Sequence, residues 1–167
     1  ESYLCLDSDV AKDLYGDEID SDWRFNYQLE EKYYGYYYRT LKYYKQTENK
    51  DEGKISNRTL PMIRMSEVYY IAAEAIFDTN PKEAQGYLEL VKKGRGISKK
   101  FDNVTNKSEF INLLVNDARR EFLGEGQIFY MYKRLNRLMP ASSFYDSDVL
   151  PTDENMVLPK PDSESNI

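Results

Sequence analysis

The chain has 167 residues, a formal net charge of −6, 41% hydrophobic and 31% charged residues, which is enough apolar mass for one folded domain with a core and too much for a disordered chain. Acids and bases are interleaved, so no basic stripe is available to neutralise a phosphate backbone, and nucleic acid is not an expected partner. With no histidine and a single cysteine, Cys5, the chain cannot build a Ser-His-Asp or Cys-His nucleophile pair, a His-ligated or four-thiolate metal site, or an internal disulfide.

Cys5 itself reads as a small apolar core residue. No apolar run approaches the roughly 20 residues needed to cross a bilayer, and the start, Glu1-Ser2-Tyr3, lacks Met and the basic opening of a signal peptide. A processed or truncated chain is the expectation. The aromatic content is high, with 16 Tyr, 7 Phe and 1 Trp. Tyrosine offers large contact area with a polar tip, which serves cores and recognition surfaces alike.

In chain order, a short helix is expected near Asp9–Tyr15, stopped by Gly16 and followed by an acidic loop over Asp17–Asp22. From Trp23 to Lys45 the residues are aromatic and Tyr-rich, and the pattern predicts one or two strands, as a hairpin or as extended arms. The polar stretch Gln46–Arg58, containing Gly53, predicts a surface loop. A helix is expected over Met62–Phe77 with Met65, Val68, Ala72, Ala75 and Ile76 as its apolar face.

The next helix is announced by its own chemistry. Asn80 can cap, Pro81 suits the first helical position, and Glu83 stands where a capping-box acid reaches back. Its apolar face is Ala84, Tyr87, Leu88 and Val91, and Gly94-Arg95-Gly96 ends it. Asn106 and Glu109 repeat the signature ahead of a third helix with Phe110, Leu113, Leu114, Ala118 and Phe122 inward. A fourth helix is expected over Gln127–Leu138, with Ile128, Met131, Tyr132, Leu135 and Leu138 on one face, stopped by Pro140. Beyond Ala141 the chain reads as a polar tail in which Met156-Val157-Leu158 docks as an extended segment. Successive helical hairpins on short loops have the look of a helical-repeat array.

The helical half resembles the C-terminal region of the SusD/RagB family. One run, Arg64-Met65-Ser66-Glu67 through Ala72-Ala73-Glu74-Ala75, matches an Arg, an acid three residues on and an Ala-Ala-Glu-Ala ending. A second is the helix from Ala84 to the basic turn Val91-Lys92-Lys93-Gly94-Arg95-Gly96. The third, Arg119-Arg120-Glu121-Phe122-Leu123-Gly124-Glu125-Gly126 with Arg134, matches an Arg-Arg-Glu-aromatic run closed by Glu-Gly and an Arg. Asp22-Trp23-Arg24-Phe25 resembles an acid-x-Arg-aromatic element, and Val157-Leu158-Pro159-Lys160-Pro161 with Glu164 resembles the family tail. Ile128, Met131 and Leu135 stand where the family commonly has Arg, Asp and Trp.

The resemblance implies an outer-membrane lipoprotein of Bacteroidetes that holds a nutrient, mostly a glycan, for a TonB-dependent, SusC-like transporter, anchored through a cysteine upstream of this chain. It covers most of the chain but about the final third of a family member. The fold class that follows is mainly α, with helical hairpins of TPR-like helical-repeat type and a small Tyr-rich β/loop segment on the N-terminal side. The expected organisation is one domain over 1–167, the C-terminal portion of a larger protein. It comprises a loop and strand segment at 1–60, a helical array at 61–139 and an extended tail at 140–167.

No catalytic residue, metal site or cofactor is expected. Arg64, Glu67 and Glu74, with Arg119, Arg120, Glu121, Glu125 and Arg134, are read as a partly buried ion network that fixes helix packing. A glycosidase would need two carboxyls roughly 5–10 Å apart across a cleft, which sequence spacing cannot supply. Trp23 is the candidate ligand-contacting residue. The Tyr33–Tyr44 cluster could form a stacking platform for sugar rings, but alternate tyrosines facing the core is the favoured reading. The competing function is a helical-repeat module that binds protein and has no sugar site of its own.

Overall fold

A computed structural model describes residues 5–42, 62–141 and 147–157 of the chain. They fall into two compact units, residues 1–124 and 125–167.

The first unit opens with strand β1 (Cys5–Asp7) and helix α1 (Ser8–Tyr15). Asp7 caps α1 by accepting the N–H of Asp9 at 2.9 Å, and Gly16 ends it at φ +50°. A 3₁₀ turn, Gly16–Glu18, occupies part of the expected acidic loop. Where strand was expected, Trp23–Gln28 forms helix α2. Asp22 accepts the N–H of Arg24 at 2.9 Å as a local N-cap, and burial of Arg24 against Asp117, 93 residues on, holds the turn in place. The expected hairpin follows as β2 (Leu29–Lys32) and β3 (Tyr37–Thr40). β3 is the central strand of a three-stranded antiparallel sheet ordered β1-β3-β2, with Leu6 opposite Tyr38 on one side and Glu31 opposite Tyr38 on the other.

Three helices build the main core, α3 (Met65–Ile76), α4 (Pro81–Lys93) and α5 (Lys107–Glu121). Helix α4 starts as its sequence predicts, with Asn80 accepting the N–H of Glu83 at 3.2 Å and its amide donating to the Glu83 carboxylate at 2.9 Å. Helix α5 likewise begins with Asn106 accepting the N–H of Glu109 at 3.0 Å. Ala84, Leu88 and Val91 of α4 and Phe110, Leu114 and Ala118 of α5 are buried as expected. Each fully buried Leu or Phe stabilises the fold by roughly 1.5–3 kcal/mol.

Helix α3 lies on a different face from the one expected. Ser66, Tyr70, Ala73 and Phe77 point inward, whereas Met65 is 65% and Val68 43% exposed and Ala75 is also exposed. Larger rings win the interior: Phe77 stacks on Phe110 at 4.3 Å between centroids and Tyr70 meets Phe122 edge-on at 5.8 Å. A second cluster, Leu14, Tyr15 and Leu29 with Phe25, Tyr38 and Leu123 against it, ties the sheet to α1 and α2. Cys5 is half-buried and borders a small cavity of about 120 Å³ with Leu6, Tyr38 and Leu123.

The 97–106 connection between α4 and α5 is held at three points. Ile97 N–H donates to Lys92 O at 3.1 Å, Phe101 N–H to the Glu89 carboxylate at 3.1 Å, and the buried Gln85 amide exchanges two bonds with the Val104 backbone, at 2.9 and 3.1 Å. A loop paired this way is preorganised.

In the second unit, α6 (Gln127–Arg134) stops short of the expected Leu138. Asn136 adopts a left-handed conformation, φ +49°, and Arg137 N–H closes on Tyr132 O at 2.9 Å, a C-terminal cap that ends the helix before Pro140. Met139 and Val149 form an isolated antiparallel bridge. Of Met156 and Val157, both expected to be extended, Met156 instead ends a one-turn helix, α7 (Asp153–Met156), and is buried, whereas Val157 is extended, φ −116° and ψ 127°, and exposed. The Gln46–Arg58 loop, Tyr43, Tyr44 and the Leu158–Glu164 tail lie outside the described residues.

Candidate functional site

Trp23 is positioned by its neighbours. Asp22 and Arg24 are both buried, 0% and 1% exposed, so the residue between them projects outward and is 52% exposed. Its backbone N–H donates to Arg95 O at 2.9 Å. The indole lies against the turn that ends α4, where Gly96 has φ +86°, and a Cβ there would sit 2.6 Å from Trp23 Cδ1 and 2.7 Å from Ser21 O. Only glycine leaves room for the ring. Gly96→Ala is therefore expected to destabilise the chain by about 2 kcal/mol and to shift the emission of the single tryptophan, both read in one urea titration. Unchanged emission would mean that the indole does not rest on this turn.

The pair flanking Trp23 belongs to a buried ion network. The Arg24 guanidinium meets Asp22 as a fork, Nε to Oδ1 at 2.9 Å and Nη2 to Oδ2 at 2.8 Å. It also donates through Nη2 to Asp117 Oδ1 at 2.8 Å and through Nη1 to Asp117 O at 3.3 Å and Glu121 Oε2 at 3.4 Å. All five of its N–H groups thus have acceptors. Tyr70 Oη donates to the other Asp117 oxygen at 2.6 Å. Arg95 grips Glu121 with Nε and Nη2 at 2.8 and 2.5 Å, and Arg64 approaches it at 3.6 Å. Next to this group, Glu18 accepts Lys92 and Arg120 at 2.5 Å each.

The charges set the protonation states. Burial disfavours a charged Glu121, but the Arg95 hydrogen bonds and the nearby Arg95 and Arg24 charges outweigh it and hold the carboxyl down to about 2. For Glu18, burial is likewise outweighed by Lys92 and Arg120, which lower its pKa. Burial and the Asp117 carboxylate push the Tyr70 hydroxyl well up. A general acid needs a raised carboxyl pKa, and Glu18 and Glu121 are shifted the other way. Among the described residues, no group of three or more His, Cys, Asp or Glu could hold a metal.

Of the residues expected to form the network, Arg64 and Glu121 approach each other at 3.6 Å, and Arg120 joins the same group through Asp22 at 3.6 Å and through Glu18. Asp22, Arg24, Arg95 and Asp117 were not anticipated in it. One signal was available for Asp117: together with Glu121 it occupies the inward stripe of α5 defined by Phe110, Leu114 and Ala118, where an acid must find a partner.

The second aromatic surface is the β2–β3 hairpin. Tyr33, Tyr34, Tyr36 and Tyr37 are exposed, Tyr34 completely, whereas Tyr38 faces the core against Phe25 at 5.0 Å between centroids. The core-facing reading of alternate tyrosines thus holds for Tyr38 and fails at the tip. Tyr33 and Tyr34 have φ +53° and +57°, a conformation that costs an L-residue roughly 1–2 kcal/mol. Their burial does not offset that cost. The Tyr33 and Tyr37 rings meet edge-on at 6.0 Å, and Tyr27, one helical turn from Trp23 on α2, is 72% exposed.

Helical hairpins thus carry aromatic rings on the outside and carboxylates neutralised by arginines inside. The SusD family model matches residues 23–157, and the chain belongs to the SusD family, whose members are nutrient-binding components of the outer membrane. No curated protein and no solved structure matches the chain. Among the described residues no helix is long and apolar enough to cross a membrane.

Proposed function

We propose that this chain binds an oligosaccharide or other nutrient by reversible contact and passes it to a TonB-dependent, SusC-like transporter, on the surface of an outer membrane to which a lipidated cysteine upstream of this chain anchors it. No bond is made or broken in this role, so the chain supplies no catalytic group and needs no cofactor. The observation that carries the reading is Trp23, held outward by two buried charged neighbours and a glycine turn in a SusD-family scaffold. A pyranose presents a C–H face that stacks on such a ring.

The test is a glycan array followed by calorimetric titration of the ligands it finds. Trp23→Ala is expected to weaken binding at least about tenfold, the equivalent of 1.4 kcal/mol, in a chain that still folds but melts somewhat lower because the indole no longer packs on the Gly96 turn. Undiminished affinity in the variant would remove Trp23 from the site.

One observation favours the alternative, a protein-binding module without a sugar site. Met65, Val68 and Ile71 of α3 are 65%, 43% and 61% exposed, an apolar row of the kind that marks protein contacts. If no glycan binds while Met65→Glu and Ile71→Glu abolish co-purification with the transporter, that alternative replaces the first reading.

A further inference from the structure

A second concavity, separate from the exposed tryptophan, lies between the 3₁₀ turn after α1, the C-terminal end of α4, the 97–106 connection and α5. It encloses about 250 Å³, room for about eight waters at ~30 Å³ each, and so for one sugar-sized ring. Its lining includes four cations, Lys92, Lys99, Lys100 and Arg120, and three acids, Glu18, Asp102 and Asp117.

The acids are largely neutralised from within. Glu18 gives one oxygen to Lys92 and the other to Arg120, and Asp117 gives its two to Arg24 and Tyr70. Lys99 and Lys100, by contrast, are exposed at the mouth, and they have no ion-pair partner among the described residues. Arg24 behind Asp117 is itself matched by Asp22 and Glu121, so the balance is set at the exposed rim, where Lys99 and Lys100 face one acid, Asp102. That rim is net positive despite the chain's overall −6 and favours an anion there. The wall is mixed: Phe101 and Leu113 contribute apolar surface, while the exposed Asn116 amide and Asp102 carboxylate can pair with hydroxyls. The loop that carries both lysines and Phe101 is tied down through Gln85, Glu89 and Lys92, so little ordering cost remains when a ligand arrives.

We infer that this cleft is a binding site for a sugar unit that carries an anionic group, a carboxylate or a sulfate. The anion lies between Lys99 and Lys100, the ring packs against Phe101, and hydroxyls reach Asn116 and Asp102. The inference rests on the nutrient-binding reading and narrows its ligand class to acidic glycans.

The experiment titrates the full chain with digalacturonate, its neutral methyl ester, galactose 6-sulfate and galactose, and repeats each titration with the double variant Lys99→Ala/Lys100→Ala. Both substitutions are at exposed positions and leave the core intact. Digalacturonate or galactose 6-sulfate is expected to bind at least about tenfold more tightly than its neutral counterpart. That preference should disappear in the double variant and weaken as salt rises. Which of the two anions binds identifies the group.

Equal binding of acid and ester, binding unaffected by the double variant, or no binding of either anionic sugar would overturn the inference. Neutral glycan binding that depends on Trp23 would survive any of these results, so the cleft can fail while the broader function stands.

Discussion

Replacing Arg24 by Met is expected to destabilise the chain by about 3–5 kcal/mol, the cost of removing one partner from a buried ion pair. Asp22, Asp117 and Glu121 are 0%, 4% and 2% exposed and all three meet this guanidinium. Once it is gone, Asp117 keeps Tyr70, and Asp22 keeps its cap to the residue-24 backbone N–H and an Arg120 contact at 3.6 Å, so negative charge is left almost fully buried with too little to balance it. Arg24→Lys should recover part of the loss, because an ammonium restores the charge but not the five-donor fork. The measurement is chemical denaturation at neutral pH, with Trp23 emission as probe. A loss below about 1 kcal/mol for Arg24→Met would mean that water solvates these carboxylates. A disturbed Trp23 signal in the folded Arg24→Met chain would in turn tie the network to the presentation of the indole, since the two are consecutive residues.

The helix starts were legible because capping is local. Asn80, Pro81 and Glu83, or Asn106 and Glu109, lie within four residues and carry their own physical reason. The stop at Gly16 has the same character. What spacing could not supply is the choice between faces in α3, where Met65, Val68 and Ala75 recur at helical intervals as regularly as Tyr70, Ala73 and Phe77. That choice is made by Asp117 and Phe110, which hydrogen-bond to Tyr70 and stack on Phe77 and lie more than thirty positions away in the chain.

Helix α2 was hidden for a similar reason. Its composition, Trp-Arg-Phe-Asn-Tyr-Gln, favours strand, and its helical state depends on Asp22 as cap and on Arg24 reaching a carboxylate 93 residues further on. Trp23 could be singled out from sequence by its type. Its exposure follows from those long-range ion pairs and from Gly96. The charged cleft was not legible at all, because Glu18, Lys99 and Asn116 come from three separate parts of the chain.

The network also makes stability depend on acid. The Glu121 carboxyl is held at about 2 in the folded chain, against 4.5 for the free group. A carboxyl whose folded pKa is depressed binds fewer protons in the native state than in the unfolded one. Its contribution is therefore fully present above about 4.5 and is lost as pH falls toward about 2. At 1.36 kcal/mol per unit the shift corresponds to about 3 kcal/mol, a figure that suits a side chain 2% exposed. Glu18, shifted in the same direction by Lys92 and Arg120, steepens the fall.

Urea titrations at pH 7, 4 and 2.5 should show stability declining through this window. Glu121→Gln, which keeps the shape and removes the titration, should be less stable than the natural chain by about 3 kcal/mol at pH 7 and should converge on it near pH 2. Parallel pH curves for the two chains would show that Glu121 titrates normally and that Arg95 and Arg24 do not hold it ionised. Convergence, with the Arg24→Met deficit also shrinking in acid, would identify one electrostatic unit that locks α2 to α5 and holds Trp23 at the surface.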